Sequence, residues 1–130
     1  MIILTIRTDN PEAELGLYDD NTKLGYEIWS AHRELSETIF SKIEGILKAQ
    51  SKSWDDIEGI VCFKGPGSFT GLRIGLTVGN ALAASQSIPI VSEGNETWLE
   101  TGIARIQQGD NEKIAVPDYG REARITTPRK

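Results

Sequence analysis

Apolar and polar positions along this chain sort it into three opening strands and then an alternation of helices and strands. Met1-Ile2-Ile3-Leu4-Thr5-Ile6 is rich in β-branched residues and reads as a buried strand. Ala13-Glu14-Leu15-Gly16-Leu17-Tyr18 alternates polar and apolar, as a half-covered strand does. Asp19-Asp20-Asn21-Thr22-Lys23 reads as a turn, and Gly25-Tyr26-Glu27-Ile28-Trp29 returns as a third strand. Short turns between them predict an antiparallel meander. A helix follows over about 32–50, with Leu35, Ile39, Ile43, Ile46 and Leu47 on one stripe. Ser53-Trp54-Asp55-Asp56 predicts a one-turn helix capped by Ser53, and Ile57 to Phe63 a strand covered on both faces. A second helix spans about 69–85, a fifth strand Ser87 to Ser92, and a third helix capped by Asn95 carries Trp98, Leu99, Ile103 and Ile106. The strand–helix–strand unit in the middle is a right-handed crossover, so its strands run parallel. The expectation is an α/β domain: a mixed sheet with helices packed on it.

The periodic pattern fades after Gln107, which divides the chain into a single lobe, 1–109, and an extended C-terminal tail, 110–130. The 130 residues suit one domain, and 38% hydrophobic with 25% charged content is a globular balance. The net charge of −5 argues against a broad face that binds nucleic acid directly. Val116–Lys130 holds four basic and two acidic residues, so the body before it carries −7 of that charge. Such a tail has two uses, folding back on the acidic body or reaching a partner. Cys62 is the one cysteine and reads as a small buried thiol. With no bilayer-length apolar stretch and no basic segment ahead of an apolar one at the N-terminus, the reading is a cytoplasmic protein with no membrane contact.

The segment Gly65-Pro66-Gly67-Ser68-Phe69-Thr70-Gly71 joins a strand to a helix. Its three glycines and proline force a tight turn, and Ser68 or Thr70 can cap the helix beyond. Free amides there suggest a phosphate loop, but that loop needs the spacing G-x-x-x-x-G-K-[ST]. Aligned on Gly65, Thr70 stands at the second glycine and Gly71 at the lysine. Aligned on Gly67, Leu72 and Arg73 stand there. A tight packing turn is the better reading.

The helix behind it carries Gly71, Gly75, Gly79 and Ala83 every four residues. Glycine inside a helix costs about 1 kcal/mol relative to alanine, so this smooth stripe needs a packing reason. Either it lies on the protein's own sheet or it meets another chain. Leu72, Ile74, Leu76, Val78 and Leu82 leave the helix apolar on more than one side, and in a small domain the second cover is expected from another chain. His32 is the only histidine, and without a second histidine or a cysteine cluster a zinc site is not expected. Asp9, Asp19 and Asp20 read as solvated turn acids, and Arg73 as a partner for some acidic side chain.

Gly65-Pro66-Gly67-Ser68-Phe69-Thr70-Gly71-Leu72-Arg73-Ile74-Gly75 resembles the G-P-G-S-F-T-G-[VL]-R-I-G signature of the TsaB family of bacterial tRNA threonylcarbamoyladenosine biosynthesis proteins. Ile3-Leu4-Thr5-Ile6, the set His32, Glu34, Leu35 and Ile39, and Ile88-Pro89-Ile90-Val91-Ser92 are similar to family patterns too. Pro117, Tyr119, Gly120, Ile125, Thr126 and Pro128 look like the closing segment of shorter members. The resemblance implies an actin-like ATPase-superfamily (RNase H-like) subdomain with strand order 3-2-1-4-5, here in a short single-lobe form. It implies a non-catalytic scaffold beside a TsaD-like catalytic subunit, joined by a TsaE-like ATPase, with tRNA met only through the complex. The implied interface lies on the first two helices, giving His32, Leu35, Ile39, Ile43, Leu72, Arg73, Gly75, Leu76 and Gly79 as candidate contacts. No cofactor is expected in the isolated chain, and ATP or ADP only in complex with partners.

Two departures sharpen this. The family's first strand usually ends in D-T-S, whereas this chain has Arg7-Thr8-Asp9, so a cation stands where active relatives keep a metal-linked acid. The second lobe of full-length members is also not evident, and a single lobe forms no interlobe cleft. The competing readings are a small nucleotide hydrolase using the glycine-rich loop and a structural protein that self-associates weakly through the same helices.

Overall fold

A computed structural model describes residues 1–31, 34–67 and 69–118, with Phe69 described by its backbone alone. His32, Ser68, Tyr119, Gly120, Arg121, Arg124, Ile125, Thr126, Pro128, Arg129 and Lys130 lie outside the described residues.

Strands β1 (Ile2–Arg7), β2 (Glu12–Asp19) and β3 (Thr22–Ser30) form the meander, followed by α1 (Leu35–Ala49), β4 (Gly59–Phe63), α2 (Phe69–Gln86), β5 (Ile90–Glu93) and α3 (Trp98–Gln107). The sheet order is β3-β2-β1-β4-β5. β1–β2 and β2–β3 pair antiparallel, and β1–β4 and β4–β5 pair parallel. The implied strand order is therefore the observed one.

Alternation on β1 divides the core between two faces, because successive side chains of a strand point oppositely. Ile2, Leu4 and Ile6 join Leu15, Leu17 and Ile60 beneath α1 and α2. Ile3 joins Tyr18, Val61 and Val91 beneath α3, which adds Trp98, Ile103 and Ile106. All five residues of β4 are buried, as a strand sandwiched between helical layers must be. Glycine lets the layers close. A Cβ on Gly59 would lie 2.6 Å from Ile106 Cγ2, and one on Gly102 would collide with Val61.

Several boundaries differ from the sequence reading, each for a local reason. β3 starts at Thr22 because the hairpin turn is tighter than expected. Asp20 takes a positive φ of 53°, and Thr22 already pairs with Asp19. β5 starts after Pro89, which has no N–H to give the ladder and whose carbonyl instead accepts from Ile60 N at 3.0 Å. α3 starts at Trp98 rather than at Asn95. The Asn95 Oδ1 accepts from Thr97 N at 3.0 Å and Thr97 Oγ1 at 2.7 Å, so it builds a turn ahead of the helix instead of capping it.

The free edge of β5 is met by residues 111–118. Ile90 N donates to Asn111 Oδ1 (3.1 Å), Glu112 N to Ile90 O (2.8 Å), and Ser92 N to Glu112 Oε2 (2.8 Å). Asn80 of α2 clasps the backbone of Ala115 with two hydrogen bonds, 2.9 and 2.8 Å. Arg105 ties Glu93, Asp110 and Glu112 together. Burial opposes its charge, but the hydrogen bonds to Asp110, Glu93 and Glu112 outweigh this and raise its pKa.

Candidate functional site

α2 presents two different faces. Its inward face puts Leu72, Gly75, Leu76, Gly79 and Ala83 on the sheet. A Cβ on Gly75 would collide with Thr8, and one on Gly79 would lie 2.5 Å from Cys62 Sγ and 3.3 Å from Ile90 Cδ1. The glycine stripe therefore lets α2 sink onto β1, β4 and β5. α1 does the same with Leu35, Ile39 and Ile43, all buried in the core.

Of the expected contact residues, Leu35, Ile39, Ile43, Leu72, Gly75, Leu76 and Gly79 are buried inside the lobe, where they pack on its own core. Arg73 is on the exposed side, and His32 lies outside the described residues.

The outward face of α2 is the less obvious one. Thr70, Arg73, Ile74, Thr77, Val78 and Ala81 recur at steps of three and four and line a groove with Ser36 and Phe40 of α1. The groove has a volume of about 480 Å³. Phe40 is 46% exposed there, an aromatic ring left half in water beside its neighbour Trp54. Of this set the sequence singled out Ile74 and Val78 as residues that made α2 apolar on a second side, Arg73 as a candidate contact and Thr70 as part of the motif loop, but not Thr77 or Ala81. The stripe 70/73/74/77/78/81 was the signal, masked by threonines and an arginine that dilute its hydrophobicity. A groove of this size and lining suits an apolar side chain from a partner.

The glycine-rich segment is a packing device. Gly65 has φ +106°, and a Cβ on it would lie 2.8 Å from Leu72 Cδ1 and 2.6 Å from Asp118 O. On Gly67 the same atom would lie 2.5 Å from Asp9 Cβ. Thr8 Oγ1 donates to Gly71 O at 2.7 Å, so the end of β1 and the start of α2 are joined directly. Pro66 and Thr70 are exposed, while Ser68 lies outside the described residues.

At the end of β1, Arg7 donates to both carboxylate oxygens of Asp9, at 2.8 and 3.1 Å. Its guanidinium lies 3.9 Å from the centre of the Phe63 ring. The bond to Asp9 raises the Arg7 pKa against the effect of burial. Asp19 and Asp20 approach the N-terminal ammonium at 3.1 and 3.5 Å. Asp9, Asp19 and Asp20, read from the sequence as solvated turn acids, are thus each paired with a positive group. Among the described residues, no group of three His, Cys, Asp or Glu side chains could hold a metal ion. Cys62 is buried, and burial pushes its thiol up to about 12.

A 3-2-1-4-5 sheet with α1 and α2 on one face and α3 on the other defines an actin-like, RNase H-like lobe. Residues 29–94 match the family model described as TsaD: tRNA N6-adenosine threonylcarbamoyltransferase. The chain is 34% identical over 90 residues to tRNA threonylcarbamoyladenosine biosynthesis protein TsaB of Bacillus subtilis, covering 69% of this chain and 39% of that protein. It is 29% identical over 113 residues to TsaB of Escherichia coli, covering 82% and 48%. The chain belongs to the TsaB family. The solved structure of YeaZ from Pseudomonas aeruginosa superposes with a TM-score of 0.69 at 21% identity, over 83% of this chain and 50% of that one. The chain spans about half the length, or less, of the curated relatives it matches.

Proposed function

We propose that this chain is a non-catalytic scaffold in threonylcarbamoyladenosine formation on tRNA, docking a TsaD-like catalytic subunit on the outward faces of α1 and α2. The groove between these helices carries the reading. It is lined by Phe40, Ile74, Thr77, Val78 and Ala81, and it leaves an aromatic ring half exposed. Membership of the TsaB family supports the pathway, and the match of residues 29–94, which include both helices, supports a partner of related build. The absence of catalytic chemistry is part of the proposal. It is supported by Arg7, locked to Asp9 at the end of β1, and by Gly65 and Gly67, where an added Cβ would meet Leu72, Asp118 and Asp9.

In this reading the TsaE-like ATPase joins through the complex, tRNA is met indirectly, and ATP or ADP binds only in complex with partners. A cytoplasmic location goes with that role; among the described residues no helix is long and apolar enough to cross a membrane. Weak self-association uses the same groove when the partner is absent, since unpaired apolar surface attracts another copy.

The test is co-purification of the chain with the TsaD-like subunit of the same organism, comparing wild type with Phe40→Asp. The wild type is expected to form a stable complex. Phe40→Asp should keep the far-ultraviolet spectrum of the folded lobe and weaken the complex by about 2–4 kcal/mol, the range of an aromatic anchor in an interface. A folded variant that binds as the wild type does would remove the groove from the interface. Turnover of nucleotide by the isolated chain would contradict the scaffold role.

A further inference from the structure

We infer that residues 111–118 are an edge guard: they occupy the outer side of β5 and so prevent a second copy of this chain from pairing its own β5 there. β5 ends the sheet beyond β4. Pro89 and Glu93 turn their carbonyls toward β4, accepting from Ile60 N and Lys64 N. Ile90 and Ser92 therefore aim their backbone groups outward, because alternate residues of a strand serve opposite neighbours. An open row of such groups is a template for another strand. Here every one of them is satisfied within the lobe. Ile90 N donates to Asn111 Oδ1 at 3.1 Å, and Ser92 N to Glu112 Oε2 at 2.8 Å. Ile90 O accepts from Glu112 N at 2.8 Å, and Ser92 O from Arg105 Nη1 at 3.0 Å.

One of these partners is a backbone amide and the others are side chains, so the cover satisfies the edge without becoming a strand itself. Glu112 engages Ser92 with both oxygens, Oε2 at the amide and Oε1 at the hydroxyl, each at 2.8 Å. Arg105 fixes that carboxylate at 2.9 Å. A carboxylate standing where a neighbouring strand's carbonyl belongs excludes that strand. Without it the edge is self-complementary. In an antiparallel pair, opposed residues exchange both bonds at every second position. Ile90 and Ser92 are two apart, so Ile90 of one copy meets Ser92 of the other about a two-fold axis at Val91. The guard is fastened by polar contacts more than by burial. Ala115 is buried and clasped by Asn80, whereas Asn111, Lys113, Ile114, Val116 and Asp118 are exposed. A segment attached in this way opens before the sheet does.

The experiment compares the guarded chain with Glu112→Ala and with Asn80→Ala/Glu112→Ala. All carry Phe40→Asp, so that association through the α1–α2 groove does not contribute, and all are checked by circular dichroism for the folded lobe. Sedimentation equilibrium reads the mass, and amide exchange followed by NMR reads Ile90 and Ser92 at low and high protein concentration. The guarded chain is expected to stay monomeric with both amides protected throughout. In the released variants both amides should exchange at least roughly tenfold faster when dilute, then regain protection as the mass doubles at high concentration. Adding Ser92→Pro, which removes an outward N–H and spares the bonds to β4, should return them to monomer. Released variants that stay monomeric overturn the inference. So do variants that associate while Ile90 and Ser92 still exchange freely, and so does a guarded chain that doubles in mass with the others. Glu112→Ala alone decides the matter should the double variant unfold.

Discussion

Replacing Gly75 by alanine adds one methyl group where α2 crosses the end of β1, and the outcome decides what the glycine stripe is for. The added carbon would collide with Thr8 Oγ1 and lie 3.1 Å from Thr8 Cγ2 and 3.2 Å from its Cβ. Thr8 is 2% exposed and cannot swing into solvent. Its hydroxyl is also committed, donating to Gly71 O at 2.7 Å. Relieving the collision means lifting α2 from the sheet or turning Thr8 away from that bond. Overpacking of this kind costs about 1–3 kcal/mol, and the hydrogen bond about 1 kcal/mol more. Alanine's helix propensity returns up to about 1 kcal/mol. The net expectation is a loss of about 1–3 kcal/mol, or a melting temperature lower by roughly 4–10 °C. Urea unfolding followed by tryptophan fluorescence and circular dichroism reads this directly. Thr8→Ala removes the colliding hydroxyl, so Gly75→Ala should do less harm in that background, with a coupling of about 1 kcal/mol. A variant as stable as the wild type, or more so, would refute the packing argument, because propensity would then have won. That result combined with weaker partner binding would return Gly75 to the interface.

Three further outcomes follow from the same geometry. Gly16→Ala should destabilise by about 1–3 kcal/mol in urea unfolding, because its Cβ would lie 2.5 Å from Thr5 Oγ1 and 2.9 Å from both Tyr18 Cε1 and Tyr26 Cδ1. Asn80→Ala removes both bonds to Ala115 and should lower stability by about 1–3 kcal/mol while speeding amide exchange over 111–118 ahead of the sheet. The Cys62 thiol, raised by burial from 9.0 to about 12, keeps its proton in the folded state where the unfolded chain has lost it. Its contribution to stability is therefore full below pH 9 and is lost progressively as pH rises from there toward about 12. The fall over that window should be shallower in Cys62→Ala, and native Cys62 should resist thiol reagents until the protein unfolds.

The sequence by itself determined the elements, their order and the core. Leu35, Ile39, Ile43, Ile46 and Leu47 recur at the spacing of one helical stripe, and the apolar run within Ile57 to Phe63 reads as a strand covered on both faces, which is β4 from Gly59 onward. The eleven residues from Gly65 were specific enough to imply the family and, through it, the strand order. Direction was a different matter. A stripe of glycines has the same spacing whether it faces its own sheet or another chain. Only the tertiary structure turned Gly75 onto Thr8 and Gly79 onto Cys62, which left Thr70, Arg73, Ile74 and Thr77 facing outward beside Phe40. The groove depends on two helices separated by a strand, so its shape exists only once the sheet has set their distance. Likewise, nothing local in Asn80 or Glu112 announces that they hold residues 111–118 against β5; those bonds depend on which edge the sheet leaves open.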